Sequence, residues 1–394
     1  MSGLCWRKIS FAIKCLLLIV LTHALLVILP RHLFLFDQEI YSYSEDYNTL
    51  LVDDDAAATT VISHTSGSVT QQPSPVLLLF TTFKITSERF AINNRTLYNW
   101  ARLQPSVQPV LFTETATDSD LTSRATSLGW AVHVAPQLRS GYPVVSAMFK
   151  YCEKIAQKST QFIGYANSDI LFSGDLTVTL KFVADVQSDL STSERETATF
   201  VIGKRSTLTP AEYVKHSDDR AGSQEFTATL NSTSIPRDSR LSIDYFIVSK
   251  DTFPWRDVPP FVVGKPGYDN WLVAMAVEWR LRVIDVTQTV PAIHQVVRAK
   301  HKDSGWFSSD VCLNRDLVDP FNYDVGHTAC ALLFTSRDQA SRRLRLFQRS
   351  RKALQTAGCF PSSFVNHLKR RFLSMNSCAE VAEKSKHKFY ETLV

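Results

Sequence analysis

The sequence predicts an α/β fold with a Rossmann-type, mostly parallel sheet and flanking helices, preceded by a transmembrane helix and a stem. Three observations predict this fold class. From Pro75 onwards, short apolar runs alternate with runs of helical periodicity, which is typical of βαβ units. A separate and longer apolar run lies near the N-terminus. The composition, 44% hydrophobic and 21% charged, is that of an ordinary globular protein.

The N-terminal apolar run covers residues 11–29, and we expect it to be a transmembrane signal anchor. Its length of 19 residues corresponds to about 28 Å of helix, close to the thickness of the bilayer's hydrocarbon core. Arg7 and Lys8 precede the run, and acidic residues dominate soon after Arg31. The first ten residues should therefore be a cytosolic tail, with the remainder in the lumen. A cleaved signal peptide and a buried core helix are the alternatives.

Residues 30–74 are predicted to be a lumenal stem. This segment contains three consecutive aspartates, Asp53 to Asp55, then an Ala/Thr patch and a polar run of Ser, Thr, Gly, Gln and Pro, with little helical or strand periodicity. Two glycosylation triplets, at Asn94 and Asn231, agree with a lumenal body.

The folded part begins at Pro75 and is predicted to extend to residue 305. Its first apolar run ends in Thr81 and Thr82 and is typical of a strand buried on both faces. The helix that starts near residue 118 should be capped by Asp118 or Asp120 and end at Gly129. The predicted elements are strands over 76–80, 109–113, 131–134 and 161–166, and helices over 92–103, 118–128 and 143–158.

The pattern continues beyond residue 170 without an internal repeat. A polar loop over 206–240 interrupts it. The predicted elements are a helix over 178–186, strands over 198–202, 243–248 and 282–285, and a helix over 269–279.

Residues 306–394 are predicted to form a basic, cysteine-containing C-terminal extension. From Arg337 to Val394 there are 13 Lys and Arg residues against 4 Asp and Glu residues, whereas the whole chain carries only +5. A solvated or packed basic helix explains this block, and so does a surface for acidic polysaccharides or membranes. The arginines that interleave with apolar residues here are Arg342, Arg343, Arg345, Arg349 and Arg351.

No cysteine forms a CxxC pair, which argues against a zinc ribbon. The cysteines are expected to form disulfides instead. Four of the five that follow the N-terminal segment lie after residue 310, so one or two disulfides among these four are expected in a lumenal protein. An odd number leaves at least one cysteine free or paired between chains. The five are Cys152, Cys312, Cys330, Cys359 and Cys378.

The triplet Asn167-Ser168-Asp169 is the first candidate site, because it follows directly from a buried strand. Ligands of open α/β sheets bind at the carboxyl ends of the strands. A carboxylate there suits Mg²⁺ or Mn²⁺, the hard ions that neutralise a diphosphate. Asn167 can still hydrogen-bond a hydroxyl group of a ligand, but it supplies less charge to a metal. The alternative is a strand-end turn capped by Asn and Asp.

The second candidate is the loop Gly264-Lys265-Pro266-Gly267, which delivers Asp269 at the start of a helix. The alternative is that Asp269 only caps this helix. Further candidates are His294, with His301 as a weaker substitute, and the cations Lys204 and Arg205 at a strand end, which suit a diphosphate. Asp244 is another acid near a strand.

These motifs, in this order, resemble the GT-A fold nucleotide-diphospho-sugar transferases over roughly residues 75–300. The resemblance implies a divalent cation, Mn²⁺ or Mg²⁺, held by Asp169 and His294. It implies that Asp269 is the catalytic base of an inverting reaction, or an acceptor ligand of a retaining one. Asn167 departs from the family pattern, which has Asp there. The implied donor-binding residues are Thr81, Thr82, Asn167, Asp169, Lys204 and Arg205, and the implied acceptor-binding residues are Asp244, Tyr268, Asn270 and Trp271.

The resemblance implies a Golgi glycosyltransferase, a single-pass type II membrane protein with a lumenal catalytic body. Its partners would be a nucleotide-sugar donor, a glycan or glycoprotein acceptor and the membrane, with no nucleic acid. One alternative is a degenerate GT-A-fold protein that binds glycans or acts as a scaffold, which Asn167 motivates. Another is a nucleotidyl or phosphosugar transferase. The sequence has no Walker A, GxGxxG, HExxH or GxSxG motif, which argues against NTPases, dehydrogenases, zinc proteases and hydrolases.

Overall fold

The computed structural model describes residues 74–115, 119–188, 198–207, 238–295, 312–317, 326–338 and 341–359. The predicted cytosolic tail, membrane anchor and all but the last residue of the predicted stem lie outside these residues, and so does the triplet at Asn231. In the parts of the chain that the structure describes, no helix is both long and apolar enough to cross a membrane.

The first part of the folded chain builds one side of a large sheet from alternating strands and helices. The first two strands pair in parallel, as do the second and third. All five predicted elements are confirmed, with bounds that differ by at most two residues. In chain order they are β1 (Leu77–Thr82), α1 (Phe90–Ala101), β2 (Val107–Thr113), α2 (Asp120–Ser127) and β3 (Ala131–Val134).

The ends of α2 show how short-range chemistry sets an element. Ser119 is the N-cap, because its hydroxyl accepts a hydrogen bond from the Thr122 backbone N–H at 3.2 Å. Asp120 is the first helical residue, so its predicted role as the cap is wrong. Gly129 follows the helix with a φ of 81°, a left-handed conformation that favours glycine, and the predicted stop is confirmed.

The chain then crosses to the other side of β1, where β6 pairs with β1 in parallel. The predicted helix over 143–158 begins at Val145 instead, because Pro143 pairs with Leu138 in a short hairpin. The predicted fourth strand is confirmed as β6. The elements of this part are β4 (Leu138–Arg139), β5 (Tyr142–Pro143), α3 (Val145–Ile155) and β6 (Phe162–Ala166).

The next part completes the main sheet and adds a small one. β10 lies antiparallel between β6 and β8, and β8 pairs in parallel with β11. β7, β12 and β9 form a separate three-stranded sheet in that order. The five elements predicted here are confirmed. The elements are β7 (Ile170–Phe172), α4 (Asp175–Ser188), β8 (Thr199–Ile202), β9 (Ser206–Thr207), β10 (Tyr245–Ser249), α5 (Tyr268–Glu278), β11 (Arg282–Asp285) and β12 (Ala292–His294).

Both faces of the main sheet are buried. Along β1, Leu77 and Leu79 point into one apolar cluster with Trp100 of α1. The alternate residues, Leu78 and Phe80, point into a second cluster on the opposite face. A strand with both faces covered needs apolar residues at every position, which explains why β1 reads as a continuous apolar run.

The basic C-terminal segment joins the same sheet. Leu344 and Leu346 are buried while Arg345 between them is more exposed, so the segment alternates as a strand does. The alternative of a basic helix is therefore wrong for residues 344–348, and among the described residues of this segment the helical ones are those of the short α7. The elements here are α6 (Cys312–Arg315), β13 (Leu333–Arg337), β14 (Leu344–Gln348) and α7 (Arg351–Thr356), and the sheet order is β14-β13-β11-β8-β10-β6-β1-β2-β3.

The predicted disulfide within the C-terminal extension is confirmed. Cys330 and Cys359 form a disulfide, which ties the segment before β13 to the end of α7. Cys152, on α3, is a free and buried thiol. A disulfide within the basic extension agrees with the expectation that these cysteines pair among themselves.

Candidate functional site

The sheet order identifies a cleft at the carboxyl ends of β1 and β6. From β1 the chain adds β2 and β3 on one side, then returns to place β6 on the other side. Ligands of open α/β sheets bind at such a reversal, outside the carboxyl ends of the strands. Thr82 ends β1 and is partly exposed there. Thr81 has no exposed surface, and its donor-binding role stays a prediction.

The Asn167–Asp169 turn follows β6 into this cleft and is held in place by α1. The Thr96 hydroxyl donates to the Ser168 carbonyl oxygen at 2.6 Å. The Trp100 indole N–H donates to the Ile170 carbonyl oxygen at 3.0 Å. Asn99 adds two bonds to Phe172, one to its N–H and one to its carbonyl oxygen. One face of one helix therefore fixes the backbone on which Asp169 stands.

Asp169 is buried and has one saturated and one unpartnered carboxylate oxygen. Its Oδ2 accepts from Arg89 Nη1 at 3.1 Å and lies 3.5 Å from His294 Nε2. Its Oδ1 is buried and has no hydrogen-bond partner among the residues that the structure describes. Burial alone would raise the pKa of Asp169, but the hydrogen bonds and charges of His294 and Arg89 outweigh it and lower this pKa. The carboxylate is therefore ionised at neutral pH.

The structure brings His294 to Asp169, as the metal prediction requires. β12 pairs antiparallel with β7, which sets His294 opposite Ile170, and the Gln295 N–H donates to the Asp169 carbonyl oxygen at 2.9 Å. A carboxylate oxygen without a partner, beside an imidazole, is a donor set that Mn²⁺ accepts. Asn167 adds little to this set, because its Oδ1 already accepts from the Tyr165 hydroxyl at 2.9 Å. The residues thus fit a divalent cation held by two side chains.

Arg205 is held between two carboxylates. Its Nε donates to Asp238 Oδ2 at 2.9 Å, and its Nη1 donates to Asp244. Burial raises the pKa of Asp244, Arg205 counteracts this, and the charge of Asp169 adds to the rise. Lys204 is partly exposed, and its backbone N–H donates to Thr287 at 2.9 Å. The predicted donor-binding role of Lys204 and Arg205 stays a prediction, as does the acceptor-binding role of Asp244.

The glycine loop places Asp269 in the first turn of α5. Gly264 and Gly267 have φ values of 75° and 103°, conformations that other residues rarely adopt. Gly267 is the N-cap, so the alternative that Asp269 caps the helix is wrong. Burial raises the pKa of Asp269 to about 7, the backbone N–H of Asn270 opposes the rise, and the charge of Asp244 adds to it. A carboxyl with that pKa suits proton transfer at neutral pH.

Two residues beside Asp269 are buried. The Asn270 side chain donates to the carbonyl oxygen of Gly326 at 2.6 Å. Trp271 lies among aromatic rings, with its ring centroid 5.1 Å from that of Phe261. Their predicted acceptor-binding role stays a prediction. Tyr268 is also buried, with its ring 6.2 Å from that of Tyr165, so its predicted acceptor contact stays a prediction.

A second group of metal-binding side chain types lies in the C-terminal segment. His327, Cys330 and Cys359 bring their ligand atoms within 4.8 Å of one another. Because the two cysteines are joined in a disulfide, neither sulfur is a thiolate ligand, and the group is structural. His301, the weaker alternative to His294, lies outside the described residues.

Several site residues were not predicted from the sequence. Arg89 contacts Asp169 from 80 positions away in the chain, and Asp238 contacts Arg205 from 33 positions away. Gln295 donates to Thr96 across 199 positions. No motif or spacing links these residues, and only the position of Gln295 next to His294 offered a signal.

Comparison with known proteins gives matches in structure and none in sequence. No protein-family model matches the chain, and no curated protein matches it. A protein of Desulfovibrio desulfuricans G20 assigned as a nucleotide-diphospho-sugar transferase is 12% identical, covers 61% of this chain and 95% of its own, and has a TM-score of 0.33. Glucosyl-3-phosphoglycerate synthase of Mycobacterium tuberculosis, in complex with Mn²⁺, uridine diphosphate and glucosyl-3-phosphoglycerate, is 16% identical, with coverages of 58% and 74% and a TM-score of 0.30.

A third match is TarS of S. aureus, 13% identical, with coverages of 64% and 68% and a TM-score of 0.31. These TM-scores are low, so the proposals below rest on the sheet order and on the geometry of the cleft.

Proposed function

We propose that this protein is a glycosyltransferase that moves a sugar from a nucleotide-diphosphate donor to a glycan or protein acceptor. One observation carries the proposal. An ionised carboxylate with an unpartnered oxygen, Asp169, meets His294 at the reversal point of the sheet. Asp269, with its pKa of about 7, is electrostatically coupled to the same cluster of acids through Asp244.

Asp169 and His294 would hold a divalent cation, Mn²⁺ or Mg²⁺. Such an ion supplies positive charge to the diphosphate leaving group of the donor. Asn167 and Thr82, at the ends of β6 and β1, would hydrogen-bond the nucleoside. The α1 contacts to Ser168 and Ile170 would keep Asp169 in position, so that little reorganisation is needed when the donor binds.

Asp269 would act on the acceptor. In an inverting reaction, the acceptor oxygen attacks the anomeric carbon while the bond from that carbon to the diphosphate breaks, and the acceptor proton passes to the Asp269 carboxylate. In a retaining reaction, Asp269 would orient the acceptor instead. Either role relies on a carboxyl that is held at the start of α5 by the loop before it.

The cellular setting belongs to the same proposal. The apolar run over 11–29 supports a single-pass type II membrane protein with a lumenal body, and the disulfide Cys330–Cys359 suits an oxidising compartment. The anchor, polar stem and α/β body follow the order that is common in Golgi enzymes.

A second candidate function is a GT-A-like protein that binds glycans or nucleotide sugars without turnover. Two observations favour it. Asn167 replaces the first carboxylate of the family motif, and Arg205 already neutralises Asp244. A cleft with fewer available negative charges holds a divalent cation less tightly. This candidate predicts binding of a ligand in the same cleft but no transfer of sugar.

The test is a binding and turnover assay on the full-length chain. We would titrate a panel of nucleotide sugars by calorimetry, with Mn²⁺ and with EDTA, in the wild type and in Asp169→Asn. Loss of one charged ligand should weaken Mn²⁺-dependent binding about ten- to hundredfold. Asp185→Asn, which changes an exposed carboxylate on α4, is the matched control and should leave binding unchanged.

Three outcomes separate the candidates. Selective binding with sugar transfer or donor hydrolysis supports the glycosyltransferase. Selective binding without either reaction, over a range of acceptors, supports the non-catalytic candidate. If the folded wild type binds no nucleotide sugar under either condition, the donor site does not exist and both candidates fail.

A further inference from the structure

In the described part of the chain, two buried polar atoms at the cleft lack a hydrogen-bond partner, and they belong to the two members of one ion pair. They are Asp169 Oδ1 and Arg89 Nε. The pair itself joins Arg89 Nη1 to Asp169 Oδ2 at 3.1 Å. A buried donor or acceptor that lacks a partner costs free energy, and native proteins rarely leave one in place. Two such atoms in one ion pair indicate that the pair is arranged for ligands. Arg89 Nε needs a hydrogen-bond acceptor, and Asp169 Oδ1 needs a cation or a hydrogen-bond donor.

Arg89 reaches the cleft from the segment that joins β1 to α1. It closes a 3-10 turn over Ser87–Arg89, directly before the first residue of α1. Its side chain is 22% exposed and that of Asp169 is 11% exposed, so the ion pair meets the cleft from a partly buried position. In such a position a charge-assisted hydrogen bond is worth more than on an open surface.

The other arginine of the cleft is already engaged. Arg205 donates to Asp238 and Asp244, whereas Arg89 is paired with the single carboxylate that the metal site also needs. The planar guanidinium offers five N–H donors in a fork that matches phosphate oxygens. One fork can therefore contact Asp169 and a phosphate oxygen at the same time, which is the bridging contact that a divalent cation would make.

We propose that the Arg89 guanidinium binds the donor diphosphate as a positively charged side chain of the cleft, and that it competes with a divalent metal ion for Asp169. This inference rests on the proposed function, because it assigns a residue of the same donor site. In the absence of metal, Arg89 bridges Asp169 and the diphosphate. A divalent cation held by Asp169 and His294 would supply the same positive charge, so the affinity for the donor should depend only modestly on metal.

The experiment measures how far Mn²⁺ changes the affinity of the full-length chain for UDP, GDP and inorganic pyrophosphate. Each is titrated by calorimetry with Mn²⁺ and with EDTA, in the wild type and in Arg89→Gln. The variant should bind the diphosphates about ten- to hundredfold more weakly in EDTA, because it loses a charge-assisted hydrogen bond. In Mn²⁺ it should stay within about threefold of the wild type, so that its metal dependence increases.

A second readout does not involve nucleotide. Mn²⁺ alone should bind Arg89→Gln more tightly than it binds the wild type, because the competing cation is gone. A variant that is merely misfolded would bind Mn²⁺ less tightly, so the sign separates the two cases. Arg89→Lys keeps the charge but loses the planar fork, so it should show a smaller change of the same sign, and it replaces Arg89→Gln if the glutamine variant does not fold. Arg102→Gln removes an exposed cation next to the C-terminal end of α1 and is the control.

The outcomes are separable from those of the proposed function. If the wild type binds neither nucleotides nor pyrophosphate, both proposals are overturned. If it binds them but Arg89→Gln changes affinity equally in Mn²⁺ and EDTA, or not at all, this inference is overturned and the proposed function stands. An increased metal dependence together with tighter Mn²⁺ binding supports the inference.

Discussion

Asp269 is the residue whose chemistry depends most on its surroundings. In water an aspartate is ionised above a pKa near 4, but burial raises the pKa of Asp269 to about 7, with the charge of Asp244 adding to the rise. A general base must be ionised to accept a proton. If Asp269 is the base, turnover should therefore increase as the pH rises through about 7.

The first prediction concerns Asp269→Asn. Loss of the base should lower kcat by about 10²- to 10⁴-fold and remove the pH-dependent rise near 7, while donor affinity changes little. The measurement is a pH–rate profile of kcat in both proteins, with nucleotide-sugar binding as the control. An unchanged kcat in the variant would exclude Asp269 as the base.

The same substitution should lower activity but raise the stability of the folded protein. In the unfolded chain the Asp269 carboxyl loses its proton near its ordinary pKa of 3.8, but the folded protein retains the proton until about pH 7. The folded state therefore loses stability as the pH rises between these values. Asn cannot ionise, so the variant should be more stable by on the order of 2 kcal/mol above pH 7 and nearly equal below pH 4. Thermal unfolding at both pH values measures this.

At the scale of elements, α1 is the support of the candidate site. Thr96, Asn99 and Trp100 lie on one face of this helix, and each bonds to the backbone of the segment from Ser168 to Phe172. Thr96 also accepts from Gln295, next to His294, at 3.0 Å. The threonine of the glycosylation triplet at Asn94 thus has a structural reason to be present, while glycosylation of Asn94 stays a prediction.

The second prediction separates the structural role of the Thr96 hydroxyl from the place of Thr96 in the glycosylation triplet. Thr96→Val removes the hydroxyl, so the Ser168 carbonyl oxygen and the Gln295 amide each lose a buried hydrogen bond, which should destabilise the protein by about 1–3 kcal/mol and weaken donor binding. Thr96→Ser keeps the hydroxyl and should recover most of both losses. Asn94→Gln removes the triplet but leaves the Thr96 bonds intact. If Asn94→Gln destabilises the protein as much as Thr96→Val does, the hydroxyl is not the cause. The measurements are denaturant unfolding and nucleotide-sugar calorimetry.

At the scale of the whole molecule, the basic C-terminal segment belongs to the main sheet. β13 pairs in parallel with β11, the strand that ends at Asp285, and β14 completes that edge. Arg349 donates to Asp285 at 2.6 Å, so a residue of the basic segment is tied to the carboxyl end of a central strand. The disulfide Cys330–Cys359 closes the loop that contains both strands.

The third prediction concerns this disulfide. It spans 29 residues, so replacing both cysteines by alanine should cost about 2–4 kcal/mol, mainly because the unfolded chain is no longer constrained. Thermal unfolding without reductant compares the double variant with the wild type. In the presence of a thiol reductant the difference should disappear, because the wild type then also lacks the bond. A difference that persists in reductant would mean that packing of the two side chains, and not the bond, is responsible.

The amino-acid sequence alone determined the elements of the central fold and the three motifs of the candidate site. Continuous apolar runs such as β1 are readable because a strand covered on both faces needs apolar residues throughout. Asn167 to Asp169, Asp269 and His294 were found because each stands at a strand or helix end with a local signal, and the structure places Asp169 beside His294. The alternation of leucine and arginine in β14 was also present in the sequence, but it was interpreted as a helix.

Only the tertiary structure decided which side chains meet. The partners of Asp169 and Arg205 lie 80 and 33 positions away, and local spacing carries no information about such contacts. It also decided that Thr81, Asn270 and Trp271 face the interior, since the direction of a side chain depends on what packs against its element. The pKa of Asp269 was beyond sequence reasoning for the same reason, because burial and the field of Asp244 exist only once the chain has folded.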